Sequence, residues 1–146
     1  MFEIRQIEYG SEAYMDFVLL RYKMLRAPLG LEFKEADLKP EKKEILLGGY
    51  VGDEIIATLI LKAVSNNVVK LRQMCVDKPY QSAGYGSMML KKAEMICKHY
   101  QYGNIELHAR ASAVNFYSKH YYRIVGDEFQ EVGIPHFKMT KTLMQF

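Results

Sequence analysis

The sequence predicts an α/β (α+β) fold, a mixed central sheet with helices on both faces. Three observations predict it. Between Ile45 and Val76, three β-patterned runs follow one another with short turns, which makes an antiparallel meander. A helix-patterned run then leads to another apolar strand, a strand–helix–strand crossover. Further strand patterns stand at the beginning and the end of the chain.

Phe2, Ile4 and Ile7 mark the first strand. Gly10-Ser11 breaks it, with Ser11 placed as a helix N-cap. Tyr14, Phe17, Val18, Met24 and Leu25 recur at helical spacing, and Pro28 and Gly30 stop that helix. The mixed-charge stretch from Glu32 to Glu44 reads as a solvated loop or short helix, which in a small enzyme can also wall a substrate. Ile45 to Val51 and Glu54 to Val64 are strands joined by a hairpin turn at Gly52-Asp53. Asn66-Asn67 turns the chain into the strand Val68 to Val76. A helix from about Gly86 to Tyr100 presents Met89, Ala93, Ile96, Cys97 and Tyr100 on one face. Ile105 to Ala109 is a strand, and Ser112 caps a short helix ending at Lys119. Tyr121 to Val125 and Phe137 to Leu143 form a last strand pair around a loop with Gly133 and Pro135.

The 146 residues read as one domain spanning 1–146, long enough to bury a core without staples. A net charge of +3 suits an anionic ligand, but the sequence has no concentrated basic stripe of the kind that nucleic acid requires. Cys75 and Cys97 are not in a C-x-x-C pair, so the expectation is no metal and two reduced, buried thiols. The first eight residues alternate apolar and charged side chains, unlike a signal peptide. No apolar run approaches membrane-spanning length. The expectation is a cytoplasmic protein that binds neither nucleic acid nor membrane.

The most informative stretch is Leu71 to Leu90, which reads as strand, turn, glycine-bearing loop and helix start. Its loop is Gln81-Ser82-Ala83-Gly84-Tyr85-Gly86. Glycines let the backbone approach a ligand, and a helix behind them points N–H groups and a positive dipole end at an anion. A phosphate loop of the NTPase kind needs Gly-Lys-Ser/Thr, whereas this loop ends Gly86-Ser87-Met88. A dinucleotide loop needs a third glycine, which is absent.

With this loop, the segments Ile105-Glu-Leu-His-Ala-Arg110, Ala113-Val-Asn-Phe-Tyr-Ser-Lys-His-Tyr-Tyr122 and Gly133-Ile-Pro-His-Phe-Lys-Met139 make the chain resemble the GCN5-related N-acetyltransferase (GNAT) superfamily. The segment Leu20 to Gly30 resembles the first helix and turn of small bacterial members. The resemblance implies a mostly antiparallel sheet splayed between the strands flanking the coenzyme helix. It implies acetyl-coenzyme A as donor, a small-molecule or peptide amine as acceptor, and commonly a dimer through the final strands. The backbone of Gln81, Ser82, Ala83, Gly84, Tyr85, Gly86 and Ser87 would hold the pyrophosphate. Met74, Cys75 and Val76 would pair with the pantetheine arm as an added strand, and a backbone N–H there would meet the oxyanion. Tyr117 would protonate the departing thiolate.

The chain departs from the family pattern in three places. Ser82 and Ala83 stand where Gly and a basic residue are usual, which removes one charge contact to phosphate. Tyr121-Tyr122 replaces Gly-Phe, which predicts a different local backbone. Arg110 replaces a common Asn and remains a coenzyme or anion contact.

Removal of the amine's proton has several candidates. Glu106 and His108 lie two apart on one strand, hence on one face. Glu128 and His136 lie near the last strand pair, His136 after a proline-fixed turn. Cys75 lies where the thioester would pass, but no histidine pairs with it in sequence and the family transfers directly. The alternative is a coenzyme A-binding or sensing module without efficient transfer.

Overall fold

The computed structural model describes residues 1–143. Its strands are β1 (Phe2–Ile7), β2 (Ile45–Val51), β3 (Glu54–Ala63), β4 (Val68–Val76), β5 (Asn104–Arg110), β6 (Arg123–Ile124), β7 (Phe129–Glu131) and β8 (Ile134–Thr142). The helices are α1 (Glu12–Arg21), α2 (Glu35–Leu38), α3 (Tyr85–His99) and α4 (Val114–Lys119). The eight strands form a mixed, mostly antiparallel sheet in the order β1-β2-β3-β4-β5-β8-β6, with β7 on β8. By internal contacts the chain divides into two compact units. One comprises Met1–Lys62 and Gln73–Ala93; the other comprises Ala63–Arg72 and the chain from Glu94 onward.

In the first unit, β1 pairs antiparallel with β2 from Phe2↔Val51 to Ile7↔Leu46. β2 pairs antiparallel with β3, with a register shift at Gly49/Tyr50. A Cβ on Gly49 would come within 2.6 Å of the Phe2 ring, so glycine is what lets β1 lie this close. Ile7, Tyr14, Phe17, Leu46 and Ile60 form a buried core. Ser11 caps α1 as predicted, its hydroxyl oxygen accepting the Tyr14 N–H at 3.1 Å.

Beyond Arg21 the first helix widens into a π-helical turn, Tyr22–Arg26, then tightens to a 3₁₀ turn, Ala27–Leu29. Gly30, with φ of 69°, ends it. The charged stretch after it is mostly exposed, as predicted, with one residue buried. It folds into α2 and a 3₁₀ turn, Lys39–Lys43, and Glu41 is 1% exposed.

In the second unit, β4 pairs parallel with β5 from Val68↔Asn104 to Leu71↔Leu107. That ladder has four pairs, and both strands run on beyond it, β4 to Val76 and β5 to Arg110. β5 pairs antiparallel with β8 along its whole length, from Asn104↔Thr142 to Arg110↔His136. Ile105, Leu107 and Ala109 are buried, so Glu106, His108 and Arg110 share the opposite face, as the alternation predicts.

Several predicted details are corrected. On α3, Met89, Ala93 and Cys97 are buried as expected, but Leu90 joins them and Tyr100, past the helix end, is 61% exposed. Ser112 is not a cap: it lies in a 3₁₀ turn, Ala111–Ala113, and Ala113 precedes α4 without a side-chain hydrogen bond. The last loop is a hairpin: β7 pairs β8 from Phe129↔His136 to Glu131↔Ile134, so Pro135 is inside a strand. Val132 (φ 47°) and Gly133 (φ 78°) make its two-residue turn. Tyr121 has φ of 70°, the left-handed region a turn glycine would occupy. The Gly-to-Tyr exchange therefore leaves that backbone conformation in place.

Candidate functional site

The predicted donor residues lie at the end of β4 and the start of α3, in the first unit. Met74 and Val76 are half-buried and Cys75 is buried. Gln73, just before them, has φ of 51° inside a strand. A non-glycine residue there is strained, and such positions persist where the surroundings hold them. Thr58 supplies part of that hold, its hydroxyl donating to the Gln73 carbonyl at 2.7 Å. Arg21 supplies more, its Nε donating to the Gln73 side-chain oxygen at 3.4 Å. Arg21 is itself fixed by a buried bidentate pair with Glu41, both bonds 2.7 Å, and the Tyr14 hydroxyl donates to the same carboxylate at 2.8 Å. Phe17 and Phe33 lie 5.2 and 4.8 Å from the guanidinium carbon. Neither Gln73 nor Glu41 stood out in the sequence. A left-handed residue between Arg72 and Met74 in a strand-patterned run has no compositional sign. The partner of Glu41 lies 20 positions away.

After β4, Asp77 anchors the turn. Its N–H donates to Ile56 O at 2.8 Å, and its carboxylate accepts the Lys78 N–H and the Lys23 ammonium at 2.9 and 3.0 Å. Gln81, Ser82, Ala83 and Gly84 are exposed, while Tyr85, Gly86 and Ser87 are half-buried. The Gln81 side chain donates back to Val76 O at 2.9 Å, bracing the turn against its strand. Ser82 (φ 64°) and Gly84 (φ 89°) are both left-handed. A Cβ on Gly84 would meet no protein atom within 4 Å, so the backbone there borders open space. The Tyr85 ring packs 4.6 Å from the Phe2 ring. A helix start turns its first backbone N–H groups outward, and the Met88 N–H donates to the Gly84 carbonyl at 3.1 Å. The arrangement suits a diphosphate.

Cys75 Sγ lies 3.1 Å from the Thr58 hydroxyl. Burial pushes its thiol up to about 11, and the Thr58 hydrogen bond offsets only part of that. A buried thiol kept protonated is a poor nucleophile.

The predicted catalytic residues belong to the second unit. Tyr117 is 7% exposed on α4, and its ring meets Phe116 and Tyr122 edge-on at 5.1 and 5.8 Å. Tyr122 donates to Glu94 at 2.9 Å, and burial beside that carboxylate holds its phenol far above the ordinary range. Lys141 binds the other Glu94 oxygen at 2.9 Å. Glu106 lies 3.4 Å from Lys138, and Arg110 is opposite His136 in the ladder. Glu128 is exposed in the loop before β7. His136 is 4% exposed in the body of β8, whereas the sequence reading places it after a proline-fixed turn. The hairpin brings in a residue that the sequence reading left out. Glu131 accepts from His108 Nδ1 at 2.9 Å and lies 3.6 Å from His136 Nε2. A Val-Gly pair at the turn, where Asn-Gly is the usual sign, hid the hairpin that places it.

Among the described residues, no group of three or more His, Cys, Asp or Glu is arranged to hold a metal ion, and no helix is long and apolar enough to cross a membrane.

A mixed, mostly antiparallel sheet with a strand, a glycine-bearing turn and a helix start suited to a diphosphate is the fold of GNAT acyltransferases. The acetyltransferase (GNAT) domain model matches residues 33–143, so the chain belongs to the GNAT family. The chain is 34% identical over 112 residues to the Bacillus subtilis "Uncharacterized protein YyaT", covering 77% of this chain and 74% of that one. Its fold is similar to a candidate N-acetyltransferase of Lactobacillus plantarum (TM-score 0.87, 23% identity, 98% of this chain and 99% of that one). It is also similar to a GNAT family acetyltransferase of Elizabethkingia anophelis with acetyl-CoA bound (TM-score 0.75, 17% identity, 97% and 98% covered).

Proposed function

We propose that the chain, working as one catalytic domain over residues 1–146, moves an acetyl group from acetyl-coenzyme A to a primary amine by direct attack. The observation that carries this reading is the turn between β4 and α3. Left-handed Ser82 and Gly84 expose backbone to open space at the start of a 15-residue helix. The acetyl-CoA bound to the Elizabethkingia protein supports the same donor. In this reading Gln81 to Ser87 take the pyrophosphate and Met74 to Val76 lie along the pantetheine arm. Arg110 contacts the coenzyme or an anionic acceptor. The two thiols that are not in a disulfide fit a cytoplasmic setting.

Tyr117 is the proposed acid. Attack by the amine expels a thiolate, and a phenol beside it supplies the proton. Its edge-on rings hold it in one orientation. The Glu106–His108–His136 face of the second unit supplies the proposed base. Cys75 has no covalent role.

The test is a thermal shift with acetyl-coenzyme A, followed by thiol release with a panel of amines. A raised melting temperature and amine-dependent thiol release are the expected results. Stabilisation without release identifies a coenzyme-binding module instead. Tyr117→Phe is expected to lower kcat about 100-fold with the best amine while the thermal shift persists. Unchanged turnover across the pH range removes the acid role.

A further inference from the structure

The His108–Glu131–His136 cluster carries an assignment that rests on the transferase reading and makes it specific. Both imidazoles meet one carboxylate. His108 Nδ1 is 2.9 Å from Glu131 Oε1, and His136 Nε2 is 3.6 Å from Oε2. His136 Nδ1 is 2.9 Å from Ile134 O, a carbonyl that only accepts, so Nδ1 carries a proton. An ionised carboxylate also only accepts, so His108 carries a proton on Nδ1. Its lone pair, when the ring is neutral, is then on Nε2. Phe129 sets the plane of that ring, edge-on at 5.0 Å.

We infer that His108 Nε2 is the base that takes the acceptor amine's proton, with Glu131 as the positioning residue that fixes its tautomer. A base held by a third group is a recurring catalytic arrangement. The other candidates on this face suit the task less. Glu106 is engaged by Lys138 at 3.4 Å. His136 is 4% exposed, whereas the His108 side chain is 29% exposed. His108 is also the first β5 residue past the parallel ladder, which ends at Leu107.

The ammonium gives one proton to Nε2, and the neutral nitrogen attacks the thioester carbonyl to form the C–N bond. The C–S bond then breaks with its electron pair on sulfur. The thiolate takes the Tyr117 proton, and the nitrogen's second proton returns to Tyr117. Imidazolium releases its proton to water.

The experiment measures kcat/KM against pH for the full chain with acetyl-coenzyme A and two amines, one strongly and one weakly basic. The variants are His108→Gln, Glu131→Gln and Glu106→Gln. The charged groups facing His108 are Glu106 and Arg110 on its own strand, His136 and Lys138 on β8, and Glu131 on β7. Tyr117 comes from α4, which packs on β5. His108→Gln is expected to lose about 100-fold in kcat with the strongly basic amine. It should also lose the rising acid limb of the profile, and have a much smaller defect with the weakly basic amine. Glu131→Gln is expected to lower kcat about tenfold, displace the limb along the pH axis and leave KM for the donor unchanged. An acetyl-coenzyme A thermal shift equal to wild type shows that each variant is folded. A His108→Gln enzyme with wild-type kcat and profile overturns this assignment and leaves the transferase standing. So does a limb lost only in Glu106→Gln. A wild-type protein that releases no thiol with any amine overturns the transferase reading and this one with it.

Discussion

At the scale of single residues, charge burial carries the most weight. Arg21 and Glu41 are each 1% exposed in side chain, so neither charge is solvated. Such a pair adds little net stability, but removing one partner strands the other. Arg21→Met is therefore expected to cost about 3 kcal/mol or more. Arg21→Met with Glu41→Leu should recover a large part, as read by denaturant midpoints. A single variant as stable as wild type would show that the pair is not buried in solution. The pair was invisible in the sequence, where both residues look like ordinary surface charges. Gln73 was invisible for a different reason: its left-handed backbone is imposed by Thr58 and Arg21, not by its own preference. Ser11 was legible because an N-cap acts on its own next three residues.

At the scale of elements, legibility followed the reach of the interactions. The Gly52-Asp53 hairpin, β4, α3 and the alternation of β5 depend on local turn chemistry and on one periodic face, and they were read closely. The terminal hairpin was missed, because its turn uses Val132, a β-branched residue, at φ of 47°. That choice carries a conformational cost. Val132→Asn is expected to raise stability by about 1 kcal/mol, since Asn tolerates this region. A melting temperature below wild type would contradict the turn assignment. The same variant should keep His108 and Glu131 in place, because the β7–β8 register is unchanged.

At the scale of the whole molecule, the mixed, mostly antiparallel sheet and the family were legible because several segments matched in sequence. The turn and helix start proposed to hold the donor were legible as structure, since a glycine-bearing turn before a helix is a local feature. The acceptor side was not. The residues gathered on the β5–β8 face come from three strands, and only the ladder sets them beside one another. A net charge of +3 favours a polyanionic donor, and added salt is expected to weaken that attraction.

The burial of both cysteines has a practical consequence for measuring this enzyme. Cys75 and Cys97 are 8% and 1% exposed, and burial pushes their thiols up to about 11 and about 12. At pH 8 burial keeps the Cys75 side chain as the protonated thiol. A colorimetric disulfide reagent should therefore read released coenzyme A over a flat protein background. Native protein is expected to give no fast thiol signal, and protein unfolded in denaturant should give two equivalents per chain. A fast equivalent from the native protein would mean that one of these side chains reaches solvent, and each turnover trace would then need a protein blank.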